Sequence, residues 1–143
     1  KLRLGVKYLK EILDNLNLKS FLKTSGGKGY HICIPFKNNL TWKKFYKISE
    51  DIANIIEKTH SELFTTNNRK EKRKNKIFID YLRNQKSATF VAPYSVRLRK
   101  NAPVSMPIAW NELDKIKPNE ITIYKAIKRL KKKDPWKEFF TSN

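Results

Sequence analysis

Lys23-Thr24-Ser25-Gly26-Gly27-Lys28-Gly29-Tyr30-His31 gathers residue types that can hold an anion. Three of the chain's four glycines, Gly26, Gly27 and Gly29, lie in this stretch. Glycine admits positive φ and lets a ligand approach the main chain closely. Successive free N–H groups in such a turn form a concave anion site. Ser25 adds a hydroxyl, Lys28 a mobile cation and His31 a further donor, a set suited to phosphate. A Walker A loop is excluded, because Lys28 is followed by Gly29 rather than by a Ser or Thr that opens a helix. The apolar runs on either side, Ser20-Phe21-Leu22 and Tyr30-His31-Ile32-Cys33-Ile34, predict strand, loop, strand. A tight hairpin with a solvated lysine satisfies the same nine residues.

Two further positions could carry chemistry. Asp80 follows Ile77-Phe78-Ile79, which reads as a buried strand. A carboxylate at such an end is costly to desolvate without a cation or donors. It could ligate magnesium or manganese, which prefer carboxylate and phosphate oxygens, or cap a neighbouring turn. In Tyr94-Ser95-Val96-Arg97, an extended backbone puts Ser95 and Arg97 on one face. There a hydroxyl and a guanidinium can hold a phosphate, or Arg97 can be an ordinary surface arginine. His60 has no partner motif. His31 and Cys33 alternate along a strand, which falls short of a thiol–imidazole pair with its orienting group. No Asp-x-Asp pair occurs, Glu112-Leu113-Asp114 being the nearest approach. Two-metal phosphoryl transfer needs several carboxylates, so Asp80 alone cannot hold two ions.

The 143 residues suit one compact domain or a piece of a larger one. Thirty-two basic against thirteen acidic residues give a net charge of +19, a field that favours a polyanionic partner, nucleic acid before anionic membrane. Lysine- and asparagine-rich coding bias contributes to the same excess. The one cysteine, Cys33, rules out an internal disulfide and a multi-cysteine zinc site, and fits a small core residue. No apolar run approaches the ~20 residues that span a bilayer, and no signal peptide is present, so the cytoplasm is the expected compartment. The chain opens at Lys1, without methionine and already in a helical pattern, and reads as a fragment.

The elements that must position these residues follow from spacing. Leu2, Leu4, Val6, Leu9, Ile12, Leu13 and Leu16 predict an amphipathic helix ended by Asn15 to Asn17. Strands are expected at 20–23 and 30–35, with a turn at Lys37-Asn38-Asn39. Thr41 is a suitable N-cap for a helix whose buried stripe is Trp42, Phe45, Ile48, Ile52, Ile55 and Ile56, ending near His60. Residues 61–76 are polar and strongly basic, and Arg69-Lys70-Glu71-Lys72-Arg73-Lys74 has the composition of a mobile surface loop. Arg69, Lys70, Lys72, Arg73 and Lys74 could contact nucleic-acid phosphates or be simply solvated. A turn at 83–86, a strand at 88–92, an extended stretch at 103–107 and a short helical turn at 110–113 follow. A basic helix over 121–133 turns Ile123, Ala126, Ile127 and Leu130 inward, and Pro135-Trp136 with Phe139-Phe140 form a tail that docks back. The fold class is α+β, with helices interspersed among short strands.

Five blocks in order resemble the polymerase domain of bacterial ligase D, within the archaeo-eukaryotic primase (primase-polymerase) superfamily. They are residues 23–35, Ile79-Asp80-Tyr81-Leu82-Arg83-Asn84, Ala92-Pro93-Tyr94-Ser95-Val96-Arg97, Ala102-Pro103-Val104-Ser105-Met106-Pro107 and Trp110-Asn111-Glu112-Leu113. The likeness covers about 1–113, and the basic helix and tail of 114–143 are less diagnostic. All of 1–143 would be the C-terminal part of such a domain. The resemblance implies an incomplete primase catalytic core, a mixed sheet with an RRM-like half. It implies a template-dependent nucleotidyltransferase that fills or extends DNA ends in bacterial non-homologous end joining by two-metal-ion chemistry with Mn2+ or Mg2+. Partners would be DNA ends, gaps or template-primer, NTP or dNTP, and Ku with a ligase domain, in the nucleoid-associated cytoplasm and away from membrane.

By position, the resemblance assigns Ser25, Gly26, Gly27, Lys28, Gly29 and His31, with Ser95 and Arg97, to the triphosphate. It assigns Asp80 to the family's third metal-binding aspartate. The family's paired aspartates would precede this chain's first helix, so the 143 residues alone are expected to incorporate no nucleotide. Three other readings share these residues. One is a replicative or mobile-element primase of the same superfamily. Another is a non-catalytic nucleic-acid-binding module whose lysines meet phosphates and whose aromatics stack bases. The third is a structural fragment whose charge is only compositional bias.

Overall fold

The computed structural model describes residues 1–36 and 40–142, so the expected turn at Lys37-Asn38-Asn39 lies outside the described residues. The chain forms two compact units, Lys1–Ile12 with Lys37–Phe90, and Leu13–Phe36 with Val91–Asn143.

The first unit takes in most of α1 (Leu2–Asn15) and the whole of α2 (Trp42–Thr59). The Thr41 hydroxyl accepts the Lys44 N–H at 3.3 Å, which is the expected N-cap. The core gathers Ile56, Leu63 and Phe64 with Tyr8, Leu9, Ile12, Ile52, Ile77 and Ile79 packed against them. Fully burying Phe64 contributes roughly 1.5–3 kcal/mol. Gly5 permits that packing, since a Cβ there would lie 2.6 Å from Ile77 Cδ1. His60 stacks on Tyr8, centroids 4.4 Å apart, a structural role. Trp42 and Ile55, expected in the buried stripe of α2, are exposed. Ala53 and Ile56 are the residues the helix buries.

The polar stretch 61–76 also supplies core: Leu63 and Phe64 are buried and β3 (Phe64–Thr65) pairs in parallel with β4 (Ile77–Phe78), while Arg69–Lys74 lies largely on the surface around a 3-10 turn at Lys70–Lys72. Asn67 O and Asn68 O accept from Arg73 at 3.1 and 2.7 Å, and Phe78 lies under its guanidinium at 3.9 Å. The apolar pair hidden in a basic run decides the difference, because burial outweighs average composition. β4 ends at Phe78, and Asp80 beyond it is exposed. The expected desolvation cost on Asp80 therefore does not arise.

The second unit is built on an antiparallel sheet in the order β2-β1-β5: β1 Phe21–Thr24, β2 Tyr30–Cys33, β5 Pro107–Ile108. The register pairs Lys23 with His31 and Leu22 with Ile32 on one side of β1, and Leu22 with Ile108 on the other. Residues 88–92 form no strand, while the chain turns back at 98–101, with Val96 bridging Val104 antiparallel. A 3-10 turn at Trp110–Glu112 stands where a helical turn was expected. The last helix, α3, is Ile123–Arg129, shorter than predicted. Ala126 is its buried residue, whereas Ile123, Ile127 and Leu130 are exposed rather than inward. Arg129 holds it in place by a bidentate pair to Glu112 at 2.8 and 2.8 Å. The tail docks as expected: Trp136 donates to Leu22 O at 2.9 Å, and Trp136 and Phe139 meet Phe21 edge-on. Phe140, however, faces solvent.

Candidate functional site

The site in the second unit starts at Ser25, where β1 turns into the glycine loop. Its Oγ accepts the N–H of Gly27 at 3.1 Å and of Gly29 at 3.2 Å. Ser25 N–H donates to Gly29 O, and Gly26 N–H to Pro118 O, each at 3.0 Å. The expectation of free loop N–H groups facing a ligand is therefore corrected for Ser25, Gly26, Gly27 and Gly29. They bond within the chain, because a tight turn satisfies its own donors first. The consequence falls on Ser25: an oxygen that accepts two N–H groups keeps its own O–H proton to donate elsewhere.

Arg97 lies directly over this turn. Gly26 has φ +65°, and a Cβ there would sit 2.5 Å from Arg97 Cγ and 3.4 Å from Ser105 N. The glycine is required twice, by its backbone and by the arginine it admits. Arg97 is held by its N–H donating to Pro103 O at 2.8 Å, and Ser95 by its carbonyl accepting from Ser105 N at 2.9 Å. Tyr94, at φ +65°, makes the bend that starts this segment. Arg99 lies beside Gly27, its guanidinium carbon 3.5 Å from where a Cβ would stand. Lys28 is exposed, and space opens around Gly29, where an added Cβ meets no atom within 4 Å.

His31 pairs across the sheet with Lys23. Burial first, then the charges of Lys23 and Arg97, bring its pKa down to about 4. It is a neutral hydrogen-bonding group at neutral pH and adds no positive charge. Burial pushes the Cys33 thiol up to about 11, with Lys23 opposing, so thiolate chemistry has no basis there.

The structure thus brings the glycine loop, His31, Ser95 and Arg97 into one unit, and adds Lys23 and Arg99, which sequence reasoning missed. Arg99 lies in the bend that starts at Leu98, where its N–H donates to Arg97 O at 2.8 Å, and strand alternation gives no signal for it. Asp80, Arg69, Lys70, Lys72, Arg73 and Lys74 belong to the first unit. Among the described residues no group of three or more His, Cys, Asp or Glu side chains could hold a metal ion. Glu112 is taken up by Arg129. The described carboxylates do not fit a complete two-ion centre. Nor is any described helix long and apolar enough to cross a membrane.

Residues 3–136 match the family described as LigD, primase-polymerase domain. The chain is 36% identical over 132 residues to the multifunctional non-homologous end joining protein LigD of Pseudomonas aeruginosa, covering 90% of this chain and 16% of that protein. It is 32% identical over 135 residues to the bifunctional non-homologous end joining protein LigD of Bacillus subtilis, covering 92% and 22%. The solved polymerase domain of Mycobacterium tuberculosis ligase D in complex with DNA is similar over 99% of this chain and 50% of that one, with TM-score 0.87 and 26% identity.

Proposed function

The chain belongs to the LigD primase-polymerase domain family, and from that premise we propose that its glycine loop binds the triphosphate of an incoming nucleotide for template-directed synthesis at DNA ends. The observation that carries this reading is the convergence on Gly26 and Gly27 of Arg97, Arg99 and a Ser25 hydroxyl with its proton to give. The end-joining context comes from the relatives' names. The DNA partner comes from the solved relative, and the +19 charge supports it.

In the reaction a primer 3′-hydroxyl gives up its proton to solvent as its oxygen bonds to the α-phosphorus. The bond to the bridging oxygen breaks and pyrophosphate leaves with the electron pair. Ser25 donates a hydrogen bond to a phosphate oxygen, and His31 in its neutral form donates another. Lys28, Arg97 and Arg99 offset the charge that grows on the departing pyrophosphate, which is the main electrostatic contribution available to these residues. Ser95, held by Ser105, keeps the arginine segment in place before substrate arrives. Asp80 is proposed as one ligand of a manganese or magnesium ion. When bound, such an ion would offset negative charge on the phosphate oxygens.

Fluorescent ATP titrated into the chain with and without manganese tests the reading. Saturable binding that Arg97→Ala weakens at least tenfold is expected. Salt-sensitive DNA binding with no affinity for ATP or metal would instead support a non-catalytic nucleic-acid module. The 143 residues alone, with no Asp-x-Asp pair, are expected to give no template-dependent product in primer extension with manganese. Synthesis de novo on unprimed single strands, by a longer protein carrying this chain, would favour a primase over an end-joining polymerase.

A further inference from the structure

Lys23 is 0% exposed on the middle strand of the sheet. Its Nζ donates to Val91 O at 2.7 Å and to Ser105 Oγ at 2.6 Å. Ser105 Oγ in turn donates to Thr24 O at 2.9 Å. Around this knot, Ser105 N–H donates to Ser95 O and Ser105 O accepts from Tyr94 N–H. Thr24 Oγ1 accepts the Met106 N–H at 2.9 Å and donates to Val104 O at 3.0 Å. One ammonium therefore joins three segments: the strand that leads into the glycine loop, the residues beginning at Val91 that carry Ser95 and Arg97, and the Val104–Met106 stretch.

We propose that Lys23 is a positioning residue, whose buried ammonium clamps the segment bearing Ser95 and Arg97 over the glycine loop and holds positive charge behind the phosphate cradle. The inference rests on the triphosphate reading above. A fully buried lysine is rare unless its head group is paired, and burying it in an apolar strand position is costly. A methionine would fill the same volume without that cost. The retained charge is explained if the site uses it. The groups facing Lys23 are His31 and Cys33 from β2 and Arg97 from the segment that carries Ser95. Burial above all brings the lysine down to about 8, against the opposing influence of Cys33, with Arg97 adding to the fall. His31 at about 4 and Cys33 at about 11 leave Lys23 as the one of these three that changes charge between pH 7 and 9.5.

Amide hydrogen exchange and ATP titration on the whole chain test the role. In Lys23→Met, the amides of Tyr94, Arg97 and Ser105 should exchange at least tenfold faster, with the β1–β2 ladder unchanged. The ATP dissociation constant should rise about tenfold. Lys28→Ala should weaken ATP without altering that exchange. In the unaltered chain ATP affinity should fall as pH rises through 8, and Lys23→Met should lack this fall. Unchanged exchange in Lys23→Met overturns the clamp, and a flat pH profile in the unaltered chain overturns the contribution of its charge. Should Lys23→Met fail to fold, Ser105→Ala must loosen the same amides, and their unchanged exchange would overturn the clamp equally. An unaltered chain that binds no ATP refutes the triphosphate reading, while the exchange result still decides what Lys23 holds.

Discussion

Two stretches of this chain are rich in cations, and they are built differently. The run from Arg69 to Lys76 carries six cations in eight residues, against two, Lys23 and Lys28, in the nine of Lys23–His31. Yet Arg69, Lys70, Lys72 and Lys74 are exposed, and Arg73 is tied to two carbonyls and a phenyl ring of its own unit. The glycine-loop region has fewer cations. One of them, Lys23, is fully buried, and another, Arg97, lies so close over Gly26 that a Cβ there would force it to shift, while the exposed Arg99 stands at ordinary contact distance from a Cβ on Gly27. Solvated lysines cost little and are screened by salt. Desolvated and pre-placed ones cost stability and act at full strength. Local charge density is therefore a poor guide to the site, and burial with convergence is a better one.

The comparison breaks most visibly at Gly26. Gly26→Ala places a methyl group on Arg97 and strains a backbone at φ +65°. It should cost about 1–3 kcal/mol, read as a lowered melting temperature, together with loss of ATP binding. Retention of both would show that Arg97 moves freely and the cradle is not pre-formed. Next in size is charge removal on the two sides. Arg97→Ala should abolish most ATP affinity, whereas neutralising Lys70, Lys72 and Lys74 together should leave it within about twofold and instead flatten the salt dependence of DNA binding. The reverse result would move the nucleotide site to the basic run.

Ser25→Ala leaves the Gly27 and Gly29 N–H groups without their acceptor. A cost of about 1 kcal/mol is expected in chemical denaturation, since the loop is partly solvated, and ATP should bind several-fold more weakly.

The pH dependence of stability separates the two regions again, because the described lysine with a lowered pKa is in the loop region. Lys23 binds its proton less tightly folded, at about 8, than unfolded, at 10.5. The unfolded chain thus holds more protons between those values, and stability should rise with pH across that window. His31 behaves alike lower down, folded about 4 against 6.5, so stability should fall as pH drops from 6.5 towards 4. Lys23→Met should remove the upper rise and keep the lower fall. The smallest effect is expected at Gly29, where Gly29→Ala meets open space and should change the melting temperature by no more than a degree or two (roughly 0.5 kcal/mol or less).

Much of the scaffold was legible in the residues themselves. α1, the Thr41 cap and the strands flanking the glycine loop are local events, set by apolar spacing and by one hydroxyl. The two blocks that hold the loop and the Ser95–Arg97 segment were readable as candidates because their residue types are unusual for surface turns. The burial of Leu63 and Phe64 in a polar, basic stretch was not legible, since it depends on their reaching a distant core. Nor was the exposure of Ile127 and Leu130, as helical periodicity marks a face without saying what covers it.

By itself the sequence determined the family, the strand–loop–strand at residues 21–33 and the excess of positive charge. Each of these depends on residue identity and near neighbours. Tertiary structure decided that Arg97 and Arg99 come over the glycines and that Lys23 is buried with its ammonium on Val91 O and Ser105 Oγ. Those outcomes rest on segments about 70 to 80 residues apart meeting at one sheet. Pairing over such separations is selected by the packing of the whole unit and leaves no periodic trace in the chain.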